Sequence, residues 1–265
     1  MSYVKPKKHF GQHFLTDMDV ARRITETLPI TEPTKVLEIG PGTGVLTQFL
    51  LENKLIDLNV IEIDEESVEY LKREKAFATL ENHIFFQDFL QTDISKIYGT
   101  ESFCIIGNFP YNISSQIFFK VLETKDQIPC ICGMLQKEVA ERLASKPGKK
   151  TYGILSVLLQ AYYDVEYLFT VPPTVFNPPP KVDSAVIRVT RNNTESLDCN
   201  EKLFKTIIKT AFNQRRKTMR NSLKPFLNKE AEIFADPIFS LRPEQLSVDE
   251  FVRLTQMLTP YILVQ

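Results

Sequence analysis

The chain has 265 residues, of which 43% are hydrophobic and 25% charged, and its formal net charge at pH 7 is −1. These proportions are typical of a folded globular protein and exclude a disordered or fibrous chain. Because the length exceeds that of a common single domain, we expect one domain of ordinary size and a smaller one.

Strand and helix patterns alternate over the first half of the chain. Asp17 is placed to cap a helix in which Val20, Ile24 and Leu28 share one face. Short apolar runs then alternate with segments of helical periodicity. The runs cover residues 35–39, 58–63, 84–87, 103–107 and 130–135, and the helical segments include 65–75 and 136–145. Buried strands alternating with helices predict a parallel, doubly wound sheet.

The following segments complete the predicted sheet. Residues 154–163 predict a buried helix, and residues 165–170 and 185–191 predict two more strands. The proline-rich stretch 171–181 between these strands predicts a loop, because proline lacks the donor of a central strand. We therefore expect an α/β, Rossmann-like domain whose mixed sheet has about seven strands, the last two forming an antiparallel pair.

A second domain is predicted after a polar linker at residues 192–200. Apolar residues recur at helical spacing in 203–212 and again in 249–258, which predicts a small all-α domain. The predicted domains are therefore residues 1–191 and 192–265.

Neither a membrane segment nor a metal site is indicated. No stretch approaches the ~18 consecutive apolar residues of a membrane helix, and residues 1–16 lack an apolar signal core, so we expect a cytoplasmic protein. None of the cysteines forms a C-x-x-C pair, and only three histidines are present. We expect reduced, buried thiols and no metal. The cysteines are Cys104, Cys130, Cys132 and Cys199.

Basic residues are concentrated in two zones of an otherwise acidic chain. Nine Lys or Arg and no Asp or Glu lie within residues 202–229, and Lys5, Lys7 and Lys8 precede the first acidic residue, Asp17. Two cationic zones favour a polyanionic partner, although a charged run also occurs on ordinary solvated surfaces.

A glycine turn follows the first predicted strand of the sheet. Gly40, Gly42 and Gly44 alternate before a helix predicted to begin at Val45, which lets the backbone turn sharply and approach a ligand. Taken alone, the turn is equally compatible with a structural connection. Glu62 ends the next strand, close to the ~20-residue spacing at which an acid reaches ribose hydroxyls. Together they favour a nucleoside-type cofactor.

The turn contains no phosphate-binding pattern. Since it has neither a Walker lysine nor G-x-G-x-x-G, S-adenosylmethionine, which carries adenine and ribose but no phosphate, is the favoured cofactor. Asp88, after the third strand, is placed to accept a hydrogen bond from the adenine amine. A turn or helix cap is the alternative role for this carboxylate.

The strongest chemical signal is Asn108, Phe109, Pro110 and Tyr111, directly after the fourth strand. An exocyclic adenine amine is a poor nucleophile because its lone pair is delocalised into the ring. The Asn oxygen and a carbonyl before or at the proline can each accept one amine hydrogen, while Tyr111 offers a face for stacking. Phe176 is predicted to cover the other face of the base, with a core aromatic as the alternative.

Seven segments taken together resemble the ribosomal RNA adenine dimethyltransferase family, and within it the bacterial small-subunit branch. They cover nearly the whole chain in order, and the last two are specific to the family. The segments are FGQHFL (10–15), EIGPGTG (38–44), VIEID (60–64), QDF (87–89), GNFPYNIS (107–114), FNPPPKVDSA (176–185) and AFNQRRKTMRNSL (211–223).

The resemblance implies a class I methyltransferase fold and a set of S-adenosylmethionine contacts. The implied cofactor residues are His13 and Leu15 near the methionine part, Gly40 beneath it, Glu62 on the ribose, Asp88 on the adenine, and Asn108 between cofactor and target. Position 13 is often asparagine in the family and is histidine here. The implied product is a pair of adjacent dimethyladenosines near the 3′ end of small-subunit ribosomal RNA, made within a small-subunit precursor by a monomeric enzyme.

The RNA backbone is predicted to bind Arg215, Arg216, Lys217 and Arg220, which lie within two helical turns in the sequence. Three other functions share parts of the pattern. A sister enzyme that methylates a large-subunit adenine would have the same catalytic domain, but the stretch QRRKTMRN favours the small-subunit enzyme. A non-catalytic ribosome-assembly or transcription factor is disfavoured by the intact Asn108 and Tyr111. A DNA adenine methyltransferase remains the third alternative.

Overall fold

The computed structural model describes residues 4–226 and 232–261. Strands and helices alternate through most of this range. The strands are β1 (Phe14–Leu15), β2 (Thr34–Ile39), β3 (Ile56–Glu62), β4 (Ile84–Phe86), β5 (Cys104–Asn108), β6 (Cys130–Gln136), β7 (Tyr163–Val171), β8 (Phe176–Asn177) and β9 (Ser184–Arg191). The α-helices are α1 (Met18–Thr25), α2 (Thr47–Glu52), α3 (Glu65–Arg73), α4 (Ser95–Tyr98), α5 (Ser114–Glu123), α6 (Lys137–Leu143), α7 (Ile154–Gln160), α8 (Glu201–Asn213), α9 (Met219–Leu223) and α10 (Val248–Leu258).

Seven strands form one mixed sheet in the order β4-β3-β2-β5-β6-β9-β7. The neighbours from β4 to β6 are parallel, and β9 is antiparallel to β6. The predicted fold class is confirmed. The chain proceeds from β2 to β3 on one side and returns to β5 on the other. Ligands of doubly wound sheets bind in the crevice beyond the carboxyl ends of the strands at such a reversal.

The central strand β2 is buried on both faces, as its apolar run predicts. Val36 and Leu37 are fully buried, and Ile39 is nearly so. The predicted cap of α1 is also present, since the Asp17 carboxylate accepts hydrogen bonds from the amides of Asp19 and Val20, each at 3.0 Å.

The proline-rich stretch differs from the prediction of a plain loop. Its residues Phe176 and Asn177 form β8, which pairs antiparallel with β1. The pairing is compatible with the prolines because both residues precede Pro178 and retain their own amide donors. The amino-terminal segment is thereby joined to the connection between β7 and β9.

The chain divides into two compact units, Met1–Ala140 with Asp164–Arg191, and Glu141–Tyr163 with Asn192–Gln265. Residues 141–163, predicted from the sequence to lie in the first domain, therefore belong to the second unit. The reason is that α7 contacts both α8 and α10, so its buried residues contribute to the helical core. In that core, Phe204 and Ile208 of α8 and Phe251 of α10 are buried. No helix of the described residues is long and apolar enough to cross a bilayer.

Candidate active site

A cavity of about 920 Å³, including open solvent at its mouth, lies at the carboxyl ends of β2, β3, β4 and β5. It brings together most of the predicted site residues, namely His13, Gly40, Glu62, Asp88, Asn108, Pro110 and Tyr111. The remaining lining includes residues 10–12, Phe14, Gly42, and 112–113. Its position is that of a small-molecule site in a doubly wound fold.

The glycine turn forms the floor of this cavity. Gly40 and Gly42 have φ angles of +68° and +55°, which side-chain-bearing residues rarely adopt. A Cβ at Gly42 would lie 2.9 Å from a ring carbon of Phe14, whereas a Cβ at Gly40 would have the Pro110 ring as its nearest neighbour at 3.9 Å. A side chain at Gly40 would therefore occupy cavity space, and its absence lets a ligand approach the backbone.

Glu62 is held in one orientation by backbone amides. Its Oε1 accepts hydrogen bonds from Ile63 and Asp64, each at 2.9 Å, and its Oε2 accepts one from Gly42 at 3.0 Å. Burial raises the pKa of Glu62, while these three hydrogen bonds act in the opposite direction. The carboxylate is thus positioned in advance, with acceptor capacity left on Oε2.

Replacing Glu62 with Ala is expected to weaken S-adenosylmethionine binding by roughly 1.5–3 kcal/mol, the range for hydrogen bonds to a charged group. Calorimetry on the folded variant measures the loss of binding free energy. Glu65→Ala removes an exposed carboxylate at the start of α3 and serves as the matched control. An unchanged affinity in Glu62→Ala would remove this residue from the cofactor site.

Glu38 is a second buried carboxyl group, at the carboxyl end of β2. It is fully buried, and burial raises its pKa to about 8. Thr47 Oγ1 donates to Oε2 at 2.7 Å, but Oε1 has no hydrogen-bond partner among the described residues. The neutral carboxylic acid is therefore the favoured form at neutral pH, because an unpaired buried charge is costly.

This raised pKa predicts a pH dependence of stability. Between the ordinary pKa of 4.5 and about 8, the folded chain keeps the Glu38 proton that the unfolded chain releases. Stability should therefore fall as pH rises through this window, by at most about 1.4 kcal/mol per pH unit from this group. Glu38→Gln should flatten the slope, as measured by urea unfolding at several pH values. Glu69→Gln, on an exposed face, should leave the slope unchanged, and an equal slope in both variants would contradict the assignment.

The turn contact considered for Asp88 is present, and the predicted adenine contact remains compatible with it. Its Oδ1 accepts a hydrogen bond from the Leu90 amide at 2.8 Å, which stabilises the turn after β4. Oδ2 accepts no hydrogen bond from the described part of the chain, and the residue lines the cavity. One oxygen therefore orients the carboxylate, and the other keeps its capacity to accept the predicted hydrogen bond.

Residues 7–12 are held beside the cavity by side-chain contacts that the sequence did not predict. Buried Asp64, two residues after Glu62, accepts a hydrogen bond from Gln12 Nε2 at 3.0 Å and forms an ion pair with Lys7. Lys7 also pairs with Glu66 at 3.2 Å. Lys7 was predicted to belong to a cationic zone for a polyanion, but its charge is neutralised by these carboxylates. Asp64 lies in the motif VIEID and Gln12 in the motif FGQHFL, but neither motif by itself indicates that the two side chains are in contact.

Asn108 and its neighbours form the wall where the target is predicted to bind. Asn108 Nδ2 donates to the His13 carbonyl at 3.0 Å, which leaves Oδ1 with its capacity to accept a hydrogen bond. The His13 ring stacks on Tyr111 with centroids 5.2 Å apart, and His13 Nδ1 lies 2.7 Å from the Pro178 carbonyl. The Tyr111 hydroxyl forms a hydrogen bond with Ser184. One face of Tyr111 is therefore covered, and the ring is held at its hydroxyl end.

Leu15 and Phe176 do not line the cavity. They face each other in the register of β1 and β8, and only 3% and 4% of their surfaces are exposed. Both side chains belong to the hydrophobic core of the first unit. The burial of the Phe176 ring favours its alternative role as a core aromatic over stacking on a base. The Leu15 side chain is also in the core, so the predicted proximity of Leu15 to the cofactor involves its backbone.

The predicted RNA-binding residues lie in the second unit but not on one helix. Helix α8 ends at Asn213 and α9 begins at Met219, so three of them occupy the connecting turn and only Arg220 is helical. Arg216, Lys217 and Arg220 are exposed. The basic zone extends to Lys229, which lies outside the described residues.

Two of these cations already have partners. The Arg215 guanidinium lies 3.7 Å from Glu244 Oε2 and donates to the Lys149 carbonyl at 3.4 Å. Arg220 lies over the Phe234 ring at 5.4 Å from its centroid. Arg216 and Lys217 make no ion pair with the described residues, and their charges are the more available for a partner.

The lining also indicates which cofactor fits. It contains the carboxylates of Glu62 and Asp88, and no Lys or Arg among the described residues. Such a site would repel phosphates and favours a ligand with hydroxyl and amine donors and positive charge. S-adenosylmethionine, with its ribose, adenine, ammonium and sulfonium, meets those requirements.

Comparison with known proteins agrees with this geometry. Residues 4–259 match the family model described as ribosomal RNA adenine dimethylase. The chain is 64% identical, over 96% of its length and 94% of the relative's, to Ribosomal RNA small subunit methyltransferase A of Parabacteroides distasonis. Two solved structures share the fold. A dimethyladenosine transferase from Plasmodium falciparum has a TM-score of 0.77 at 23% identity, covering 94% of this chain and 98% of that one. The 23S rRNA methyltransferase ErmE has a TM-score of 0.68 at 25% identity, covering 92% and 99%. The chain therefore belongs to the ribosomal RNA adenine dimethylase family.

Proposed function

We propose that this protein uses S-adenosylmethionine to dimethylate the N6 amines of two adjacent adenines in the 3′-terminal hairpin of 16S ribosomal RNA. Family membership and the relative named Ribosomal RNA small subunit methyltransferase A support the reaction and the class of substrate. The observation that carries the assignment is Asn108, fixed by His13 at the edge of a cavity that also contains Gly40 and Glu62.

The geometry supports catalysis by alignment of the target amine. When bound, S-adenosylmethionine supplies a methyl group activated by its sulfonium. Asn108 Oδ1 accepts one amine hydrogen, because Nδ2 is engaged by His13. The Pro110 carbonyl already accepts the Ile113 amide at 3.2 Å, so we assign the second hydrogen to the Phe109 carbonyl. These two bonds orient the nitrogen lone pair out of conjugation with the ring.

The cavity needs no strong general base for this reaction. The departing thioether is neutral, so the amine proton can pass to water after transfer, and the barrier falls mainly through orientation. Tyr111 provides the stacking surface for the base, on the ring face that His13 does not cover. Burial raises the pKa of Tyr111, so its hydroxyl stays protonated and holds the ring to Ser184.

The other predicted residues divide between cofactor and RNA. We assign Gly40, Glu62 and Asp88 to the cofactor, His13 and Leu15 to it through their backbone, and Phe176 to the support of the amino-terminal segment. Arg216 and Lys217 are assigned to the RNA backbone, with Arg215 and Arg220 beside them. We further propose that the enzyme acts as a monomer on a small-subunit precursor in the cytoplasm, where ribosomal subunits assemble.

The proposal is tested by incubating the protein with isotopically labelled S-adenosylmethionine and undermethylated small ribosomal subunits, then mapping the label. Two adjacent dimethyladenosines are expected near the 3′ end. They can be located by primer extension, because dimethylation blocks base pairing and stops reverse transcription there. Asn108→Ala protein controls for a contaminating activity. Label in large-subunit RNA or DNA, or no transfer at all, would contradict the proposal.

A further inference from the structure

The helical unit contains a second basic segment outside the two cationic zones predicted from the sequence. The connection between α6 and α7 carries Lys146, Lys149 and Lys150, and all three are exposed. From residue 142 to residue 163 the chain has no Asp or Glu. We call residues 146–150 the basic loop.

Arg215 joins this loop to the predicted RNA-binding turn. Its guanidinium donates to the Lys149 carbonyl at 3.4 Å and lies 3.7 Å from Glu244 Oε2. The Gly148 amide donates to the Glu244 carbonyl at 2.7 Å. Two basic segments that are 66 residues apart in sequence are thereby held side by side in one unit.

A hydrogen bond joins the residues on either side of the basic loop. Ser145 Oγ lies 2.8 Å from Thr151 Oγ1, and Gly148 has a φ angle of +85° with open space around the position of a Cβ. The loop therefore has a defined backbone conformation, although its lysine side chains extend into solvent. This arrangement presents several cations without the cost of burying them.

Of the six cations in the basic loop and the adjoining turn, one makes contacts within the protein and five make no ion pair with the described residues. Arg215 is half-buried and engaged by Glu244 and Lys149. The other five make no ion pair with the described part of the chain; they are Lys146, Lys149, Lys150, Arg216 and Lys217. Flexible lysines act as point charges and contact the phosphates of a nucleic acid more readily than its bases.

We propose that the basic loop and the turn of residues 214–218 form one surface that binds the phosphate backbone of ribosomal RNA. Arg215 is a positioning residue that holds the two segments together. The inference rests on the proposed function, since it takes ribosomal RNA as the substrate, and it adds a second RNA contact to that site.

The test is the salt dependence of RNA binding by the full chain with Lys146, Lys149 and Lys150 all changed to Gln. The plot of log affinity against log salt should flatten by roughly 0.7–0.9 for each phosphate that the variant no longer neutralises. S-adenosylmethionine affinity and Tm should stay at wild-type values. The matched control changes Lys54, Lys72 and Lys75 to Gln, three exposed lysines of the first unit, and should leave the slope unchanged.

A double-mutant cycle tests the role of Arg215. Arg215→Gln alone should weaken binding and lower the slope, because the loop is released from the turn. Added to the triple change, it should have little further effect, since its action passes through the loop. Fully additive reductions in affinity would overturn the positioning role and make Arg215 a phosphate ligand in its own right.

The remaining outcomes separate this inference from the proposed function. A wild-type slope in the loop variant, with a reduced slope in Arg216→Gln/Lys217→Gln, would overturn the loop contact and leave the proposed function intact. Weaker binding to ribosomal subunits but not to protein-free 16S ribosomal RNA would assign the loop to an acidic ribosomal protein and overturn the inference. Failure of methyl transfer in the wild-type protein would instead refute the proposed function.

Discussion

Replacing Asn108 with Ala is expected to slow methyl transfer by at least ~10²-fold, the order of reduction seen when one positioning group is removed from a reacting centre. The side chain is fixed by its hydrogen bond to the His13 carbonyl, so Oδ1 is already oriented before the substrate arrives. Alanine removes both this acceptor and its orientation. The rate is measured in single turnovers at saturating S-adenosylmethionine, which separates chemistry from cofactor affinity.

Asn112→Ala is the matched control for this variant. Asn112 lines the same cavity but is exposed, and its Nδ2 contacts the His9 carbonyl at 3.4 Å. The control should retain most of the wild-type single-turnover rate. A similar reduction in both variants would indicate that the amino-terminal segment had been disturbed, and a near wild-type rate in Asn108→Ala would refute the catalytic assignment.

Neutralising Arg215, Arg216, Lys217 and Arg220 together to Gln should weaken RNA binding strongly and flatten its salt dependence by roughly 0.7–0.9 per phosphate released. The structure limits the number of phosphates that these residues can bind directly, because Arg215 is paired with Glu244 and Arg220 lies over Phe234. We therefore expect the largest part of the change in slope to come from Arg216 and Lys217.

S-adenosylmethionine affinity is the internal control for this fourfold variant, since the cavity residues all lie in the first unit. A misfolded protein would lose cofactor binding as well. A second control changes Lys54, Lys72, Lys75 and Lys96, exposed lysines of the first unit, to Gln and alters the net charge equally. If the fourfold variant lowers Tm and leaves the salt slope unchanged, these residues stabilise the helical unit and do not bind RNA.

Local sequence patterns were sufficient to predict the sheet and much of the cavity lining. Gly40, Glu62, Asp88 and Asn108 each end or follow an apolar run that forms a strand, and the carboxyl ends of parallel strands meet at one edge of a sheet. This rule depends only on the direction and order of the strands. The sequence therefore predicts that these residues lie at one edge of the sheet, even though it predicts none of their side-chain contacts.

Contacts between distant segments were decided by the tertiary structure. Lys7 looked like a free cation, but Asp64 lies beside it from a position 57 residues away. Phe176 was predicted to cover a base, and in the structure its side chain is buried where it pairs with Leu15, which favours the core-aromatic alternative. Arg215 and the basic loop are adjacent only because the helical unit includes residues 141–163. Periodicity and spacing report the conformation of a local segment, whereas the partner of a charge or an aromatic ring depends on how segments far apart in the chain pack together.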